Sequence, residues 1–220
     1  MNWDEVRAEI VGACQRLEAD GLVAGASGNV SVRLPPGDRE LVAITPSRIP
    51  YRELRPDQVL IIDFEADPVE GDGVPSSETL THLAAYRARP DVGAAIHTHS
   101  IYASALAVTG QEIPAVIDEQ VIVLGGSVHV AEYGMSATEE LAQRAIEALG
   151  QRQAVLLRNH GVLGVGRDLR EALDVVALVE RVAKVSVLAH LLGGAHALPE
   201  HAVAIEEKLF RMQHGFPVEK

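Results

Sequence analysis

Aromatic side chains are scarce in this sequence: one Trp, four Tyr and three Phe among 220 residues, 4% in all. The core must therefore be built from Ala, Val, Leu and Ile, as the 47% apolar content permits. Cysteine is rarer still. Cys14 is the single thiol, which excludes an internal disulfide framework, and in its helix-like apolar setting it reads as a small buried side chain. Basic residues are outnumbered, 19 Lys and Arg against 31 Asp and Glu, for a formal net charge of -12. Such a chain repels phosphate backbones, so no nucleic-acid partner is expected, while a local site for a small anion stays compatible with the balance. Long apolar runs are also missing. None approaches the ~20 residues of a membrane span, so no membrane partner is expected. Met1-Asn2-Trp3-Asp4-Glu5 is acidic and lacks the apolar stretch of a secretory leader; a cytoplasmic location is the resulting expectation.

What is present mixes helix and strand patterns without a regular β-α-β beat, and shows no repeat, low-complexity tract or linker. One α/β domain over residues 1–220 is the simplest reading. Trp3 to Leu22 reads as an amphipathic helix through Val6, Ile10, Cys14 and Leu17. Val30 to Leu34, Leu41 to Thr45 and Val59 to Phe64 read as strands, the first two separated by the turn cluster Pro35-Pro36-Gly37-Asp38. Asp67 to Pro75 reads as a loop. Thr79 to Arg87 is a helix with Ser76 or Ser77 as candidate N-cap. Val92 to His97 is a buried strand, followed by a helix over Ser100 to Val108. Ser136-Ala137-Thr138-Glu139-Glu140 opens a helix running to Leu149. Ala154 to Leu157 and Val162 to Val165 are strands. Leu169 to Leu192 and Ala202 to Met212 are helices.

Residues two apart in a strand project from one face. His97 and His99 therefore point together at a strand end, where two imidazoles can reach one metal ion. An H-x-H pair alone is also an ordinary surface or core pair, and nine histidines leave room for coincidence. His160, at the end of an apolar strand and just before Gly161, is the best third ligand. His82, His129, His190, His196, His201 and His214 read as ordinary residues. The small, polar run Gly25-Ala26-Ser27-Gly28-Asn29 can aim backbone N–H groups at a phosphate. Thr45-Pro46-Ser47 offers hydroxyls, and Ser76-Ser77 can equally cap a helix or bind an anion at its N-terminus. Glu78 then stands beside any bound anion, where a carboxylate can shuttle protons; a first-turn glutamate favoured by the helix dipole is the plainer alternative.

Five motifs in order, Ser27-Gly28-Asn29-Val30-Ser31, Ile44-Thr45-Pro46-Ser47, Pro75-Ser76-Ser77-Glu78, Ile96-His97-Thr98-His99 and Asn159-His160-Gly161, resemble the class II aldolase/epimerase family, and within it the fuculose-1-phosphate aldolase branch most. The resemblance spans Val6 to the helix after His160. It implies a three-layer α/β/α fold around a mostly antiparallel central sheet. It also implies a homotetramer with active sites at subunit interfaces and a phosphorylated sugar as substrate. Gly28, Asn29, Ser47, Ser76 and Ser77 match phosphate-binding positions. His97, His99 and His160 match the ligands of a Zn2+ ion, one per subunit, with other divalent ions also suited to three imidazoles. Glu78 matches the acid/base of the aldolases, which the epimerases replace by Asp. The implied reaction is cleavage of a ketose 1-phosphate to dihydroxyacetone phosphate and an aldehyde.

Three positions depart from the family pattern. A catalytic tyrosine that a neighbouring subunit supplies becomes Glu119, beside Asp118, and either carboxylate can move a proton at the C4 hydroxyl or be a solvated loop acid. A C-terminal tyrosine is missing, with Phe210 and Phe216 in the tail instead. A glycine of the phosphate loop is Arg48. Dehydration of a 5-substituted ribulose 1-phosphate and 4-epimerisation are the alternative reactions on this scaffold. A metal-free, adducin-like scaffold module is the alternative of another class, against which the three histidines and Glu78 stand.

Overall fold

The computed structural model describes residues 3–35 and 37–217; Pro36, in the expected turn cluster, lies outside the described residues. Among the described residues eight strands form one sheet: β1 (Asn29–Arg33), β2 (Leu41–Ile44), β3 (Leu60–Asp63), β4 (Pro68–Glu70), β5 (Ala94–Thr98), β6 (Val130–Ala131), β7 (Ala154–Leu157) and β8 (Gly161–Gly166). Their order is β4-β3-β2-β1-β5-β8-β7-β6. Every neighbouring pair is antiparallel except β6 and β7. Seven α-helices accompany them among the described residues: α1 (Trp3–Ala19), α2 (Thr79–Ala88), α3 (Ile101–Thr109), α4 (Asp118–Leu124), α5 (Glu139–Leu149), α6 (Leu169–Leu191) and α7 (Glu200–Gln213). No described helix is long and apolar enough to cross a membrane.

Alternation along the strands sends successive side chains to opposite faces. Val30, Ala94 and Ile96 pack with Val6, Ile10 and Leu17 of α1 and Val176 of α6. Ala95, Leu163 and Val165 pack on the other face with Leu83 and Tyr86 of α2 and Leu141 and Leu149 of α5. Ala103 and Leu106 of α3 join Val162 and Val179 on the α6 side. The result is the expected α/β/α arrangement around a mostly antiparallel sheet. Few aromatics are needed, because small aliphatic residues on both faces let the helices approach closely.

The topology gathers one set of strand ends. β2, β1, β5 and β8 are consecutive and antiparallel, so the end of β2 at Ile44, the start of β1 at Asn29, the end of β5 at Thr98 and the start of β8 at Gly161 lie along the same end of the sheet. In the β1–β5 register Asn29 stands opposite His97.

Some local expectations shift. The segment read as a loop over Asp67 to Pro75 contains β4, an exposed edge strand whose register breaks against β3. Neither Ser76 nor Ser77 is the N-cap of α2; that position is Glu78, without a side-chain cap bond. The helix opened by Ser136-Ala137-Thr138 starts at Glu139, with Thr138 Oγ1 accepting from the Leu141 N–H. Asp118 and Glu119 sit in the first turn of α4 rather than in a loop. The start of α3 is held from afar, since Glu180 of α6 accepts the N–H groups of Tyr102 and Ala103, each at 3.0 Å. That anchor fixes the chain just after His99.

Candidate active site

The three histidines converge from two strand ends. His97 belongs to β5, His99 follows it, and His160 precedes β8. One ring nitrogen from each lies within 4.8 Å of the others. The Nε2 atoms of His97 and His99 are 2.8 Å apart, and ring centroids are separated by 4.6 to 5.0 Å. His97 Nδ1 lies 2.8 Å from the Val162 carbonyl oxygen, an acceptor for its proton. That bond fixes the tautomer with the Nε2 lone pair facing the other rings, the usual second bond of a metal-ligating histidine. Burial, then His160 and His99, hold the His97 pKa well below the ordinary imidazole value. Burial and His160 also lower His99, against an opposing pull from Glu78. Both therefore stay neutral, the form that binds a metal. Three imidazole nitrogens at one point, with an open cleft on one side, fit a catalytic divalent ion.

The local sequence makes this convergence possible. Gly161 lies so close to β5 that a Cβ there would sit 2.2 Å from the Thr98 carbonyl oxygen, 3.0 Å from His99 Cδ2 and 3.2 Å from His97 Cε1. Gly28, at φ +86°, would place a Cβ 2.6 Å from the His97 carbonyl oxygen. Only residues without a Cβ pass here.

A cleft of about 680 Å³ opens beside the histidines. It is lined by His97, His99, His160 and Glu78, by Gly28, Asn29, Ser47, Ser76 and Ser77, and also by Arg48 and Ser136. The two hydroxyl-bearing segments are tied together: Ser47 N–H donates to Val74 O at 2.9 Å, Ser76 N–H to Thr45 O at 3.1 Å, and Ser47 Oγ to Pro75 O at 2.8 Å. Asn29 is buried, and its Oδ1 has no partner among the described residues.

Backbone strain concentrates here. Among the described residues four non-glycines have φ in the left-handed region: Arg48 at 66°, Ala66 at 68°, Ala137 at 64° and Asn159 at 58°. Arg48 lines the cleft, Ala137 donates its N–H to Glu78, and Asn159 precedes His160. Strain retained at a cleft is the pattern of a functional site.

Asp118 and Glu119 are not brought to this cleft within one chain. Glu119 pairs with Arg181 of α6 and lines a separate surface groove with Arg167 and Asp174. Asp118 meets Glu206 of α7, whose carboxyl pKa is raised by desolvation first and then by the hydrogen bond and charge of Asp118. Phe210 is buried beside His214 and Phe216, beneath Gly125, and lines no part of the cleft. His82 is fully buried with Nδ1 2.6 Å from Ser31 Oγ, and its pKa falls to about 3 from burial.

Two polar cleft residues, Arg48 and Ser136, were outside the sequence-based site. Arg48 carried a signal in replacing an expected glycine. Ser136 carried none, because a serine before a helix reads as a cap.

Comparison with known proteins adds the relationship. The model of the class II aldolase and adducin N-terminal domain matches residues 8–187. The chain is 37% identical over 196 residues to a 5-deoxy-D-ribulose 1-phosphate aldolase of Bacillus thuringiensis serovar kurstaki, covering 88% of this chain and 90% of that protein. It is 34% identical over 184 residues to the L-fuculose phosphate aldolase of Escherichia coli K12, covering 84% and 83%. A solved L-fuculose 1-phosphate aldolase superposes with a TM-score of 0.89 at 36% identity, covering 94% of this chain and 96% of the other. This chain therefore belongs to the class II aldolase and adducin N-terminal domain family.

Proposed function

We propose that residues 1–220 act as one domain that cleaves a ketose 1-phosphate to dihydroxyacetone phosphate and an aldehyde, with 5-deoxyribulose 1-phosphate and fuculose 1-phosphate as first candidates. The observation that carries the reading is the single cleft shared by three convergent histidines, a buried carboxylate and a wall of small donors. The family relationship and the names of the relatives point the same way. A scaffold role gives no reason for three imidazoles facing one point.

His97, His99 and His160 would hold the divalent ion, with Zn2+ the candidate. When bound, it supplies Lewis-acid stabilisation of the negative charge left on the three-carbon fragment. The rest falls to the chain. Gly28, Asn29, Ser47, Ser76 and Ser77 bind and orient the phosphate through hydroxyls, an amide and backbone N–H groups. Arg48, the only Lys or Arg lining the cleft among the described residues, adds positive charge on an acidic protein. The unpartnered Asn29 Oδ1 is an acceptor for a substrate hydroxyl. Glu78 takes and returns the proton at the reacting carbon of the three-carbon fragment.

Asp118 and Glu119 serve the aldehyde half, at the C4 hydroxyl. Because Glu119 faces away from its own cleft, this role requires a second copy of the chain, consistent with a homotetramer whose active sites lie at subunit interfaces.

The test is a pair of variants. His99→Ala loses metal and cleavage together. Glu78→Gln keeps the metal and loses roughly 10²–10⁴ in turnover. Stoichiometric metal with normal turnover in His99→Ala removes the ligand assignment, and a near wild-type rate in Glu78→Gln removes the acid/base.

A further inference from the structure

Glu78 is 3% exposed and has no ion-pair partner among the described residues. Its carboxylate is held instead by neutral donors. Oε1 accepts from the Ser136 hydroxyl and from the Ala137 N–H, the latter at 3.2 Å. Oε2 has only the Thr81 hydroxyl, at 3.5 Å. The Oε1 donors come from the segment between β6 and α5, far along the chain. Ala137 holds a left-handed φ of 64°, a conformation unfavourable for alanine, and in it the N–H meets the carboxylate. Ser136 is not spent on capping, since Thr138 caps α5. Its hydroxyl is left for Glu78.

We propose that Ser136, helped by the Ala137 N–H, is a positioning residue that docks Glu78 off the metal and keeps Oε2 ready to take a proton. The inference rests on Glu78 being the acid/base. A carboxylate beside three imidazoles is drawn to the ion they hold. Once ligated, its lone pairs are engaged and it is a poor base. Two donors on Oε1 compete with that ligation, because hydrogen bonds to an ionised carboxylate are among the stronger ones. Oε2 stays almost free. Removing the hydroxyl then has two effects of opposite sign. Glu78 moves toward the ion, so metal binds more tightly, while proton transfer slows. General damage to the site would weaken both.

Dihydroxyacetone phosphate alone in deuterated water tests this without any aldehyde. Exchange of its carbon-bound hydrogen is followed by proton NMR on the zinc-loaded full chain, and zinc affinity by chelator competition. Ser136 is exposed, so its substitution leaves the core intact. In Ser136→Ala exchange falls roughly tenfold, the worth of one such hydrogen bond, while zinc affinity rises several-fold. Ser136→Thr restores both values, and Glu78→Gln added to Ser136→Ala removes the gain in zinc affinity. Wild-type exchange in Ser136→Ala, no gain in its zinc affinity, or no rescue by threonine overturns the proposal. If Glu78→Gln is inactive in that case, the assignment of Glu78 stands. Wild-type exchange in Glu78→Gln overturns the assignment itself.

Discussion

Gly161→Ala perturbs the proposed metal centre without replacing a ligand. The added methyl meets the Thr98 carbonyl oxygen at 2.2 Å, His99 Cδ2 at 3.0 Å and His97 Cε1 at 3.2 Å. To bring the first contact to 3.0 Å, the peptide between the two histidines must retreat by about 0.8 Å. Metal–nitrogen distances tolerate only about 0.2 Å, so a shift of that size costs the centre the alignment of His97 and His99. The neighbours have little room. Thr98 is fully buried, and β5 lies between β1 and β8, pinned on both sides by registered pairs. Overpacking of this kind costs about 1–3 kcal/mol of stability. The expected outcome is a folded protein with a lower urea midpoint and zinc affinity weakened at least tenfold, about what losing an outer-shell support of a ligand costs. Circular dichroism, urea unfolding of the metal-free protein and chelator competition measure these. Unchanged zinc affinity with unchanged stability would refute the close approach of β8 to β5 on which the geometry depends.

Arg48→Gly relieves a left-handed φ, so it raises stability by about 1 kcal/mol, while KM for a phosphorylated substrate rises and its salt dependence flattens; a destabilised variant with unchanged KM contradicts both halves. The metal-free protein loses stability on acidification from pH 7.5 to 5. His82 and His97 have pKa values below that of an unfolded histidine, about 6.5, the former near 3. Their contribution is complete above 6.5 and lost as the unfolded chain takes up protons the native state refuses, with a slope of up to about 1.4 kcal/mol per pH unit for each; a flat urea midpoint over that range would be inconsistent with their burial. Glu119→Gln lowers the rate of ketose phosphate cleavage but leaves hydrogen exchange on dihydroxyacetone phosphate intact, and equal loss in both assays speaks against an aldehyde-side role.

Long elements with a clear period were the legible part of the fold. The stripe Val6, Ile10, Cys14, Leu17 gave α1, and the apolar runs gave β5, β7 and β8, because burial on a defined face is written in side-chain spacing. The short edge strand β4 was not legible. It is exposed, and its pairing is supplied by β3 rather than by its own residues. The α4 helix hid for a related reason: its seven residues are too few to display a period.

At the site, His97 and His99 were legible because a strand's two-residue repeat puts both on one face. Their union with His160 depends on the β5–β8 register, which no local pattern contains. The Ser136 contact with Glu78 joins residues 58 apart and needed the packing of α2 against α5 to appear. The left-handed backbones at Ala137 and Asn159 were equally invisible, since neither residue announces a positive φ as glycine does.

The most direct test of the account strips the protein of metal, reconstitutes it with zinc and offers 5-deoxyribulose 1-phosphate, fuculose 1-phosphate and other ketose 1-phosphates while dihydroxyacetone phosphate release is followed. The expected result is release from at least one of them that a chelator abolishes and zinc restores. No release from any of them, with one zinc bound per chain at His97, His99 and His160, would contradict the aldolase reading and turn attention to dehydration or epimerisation in the same cleft.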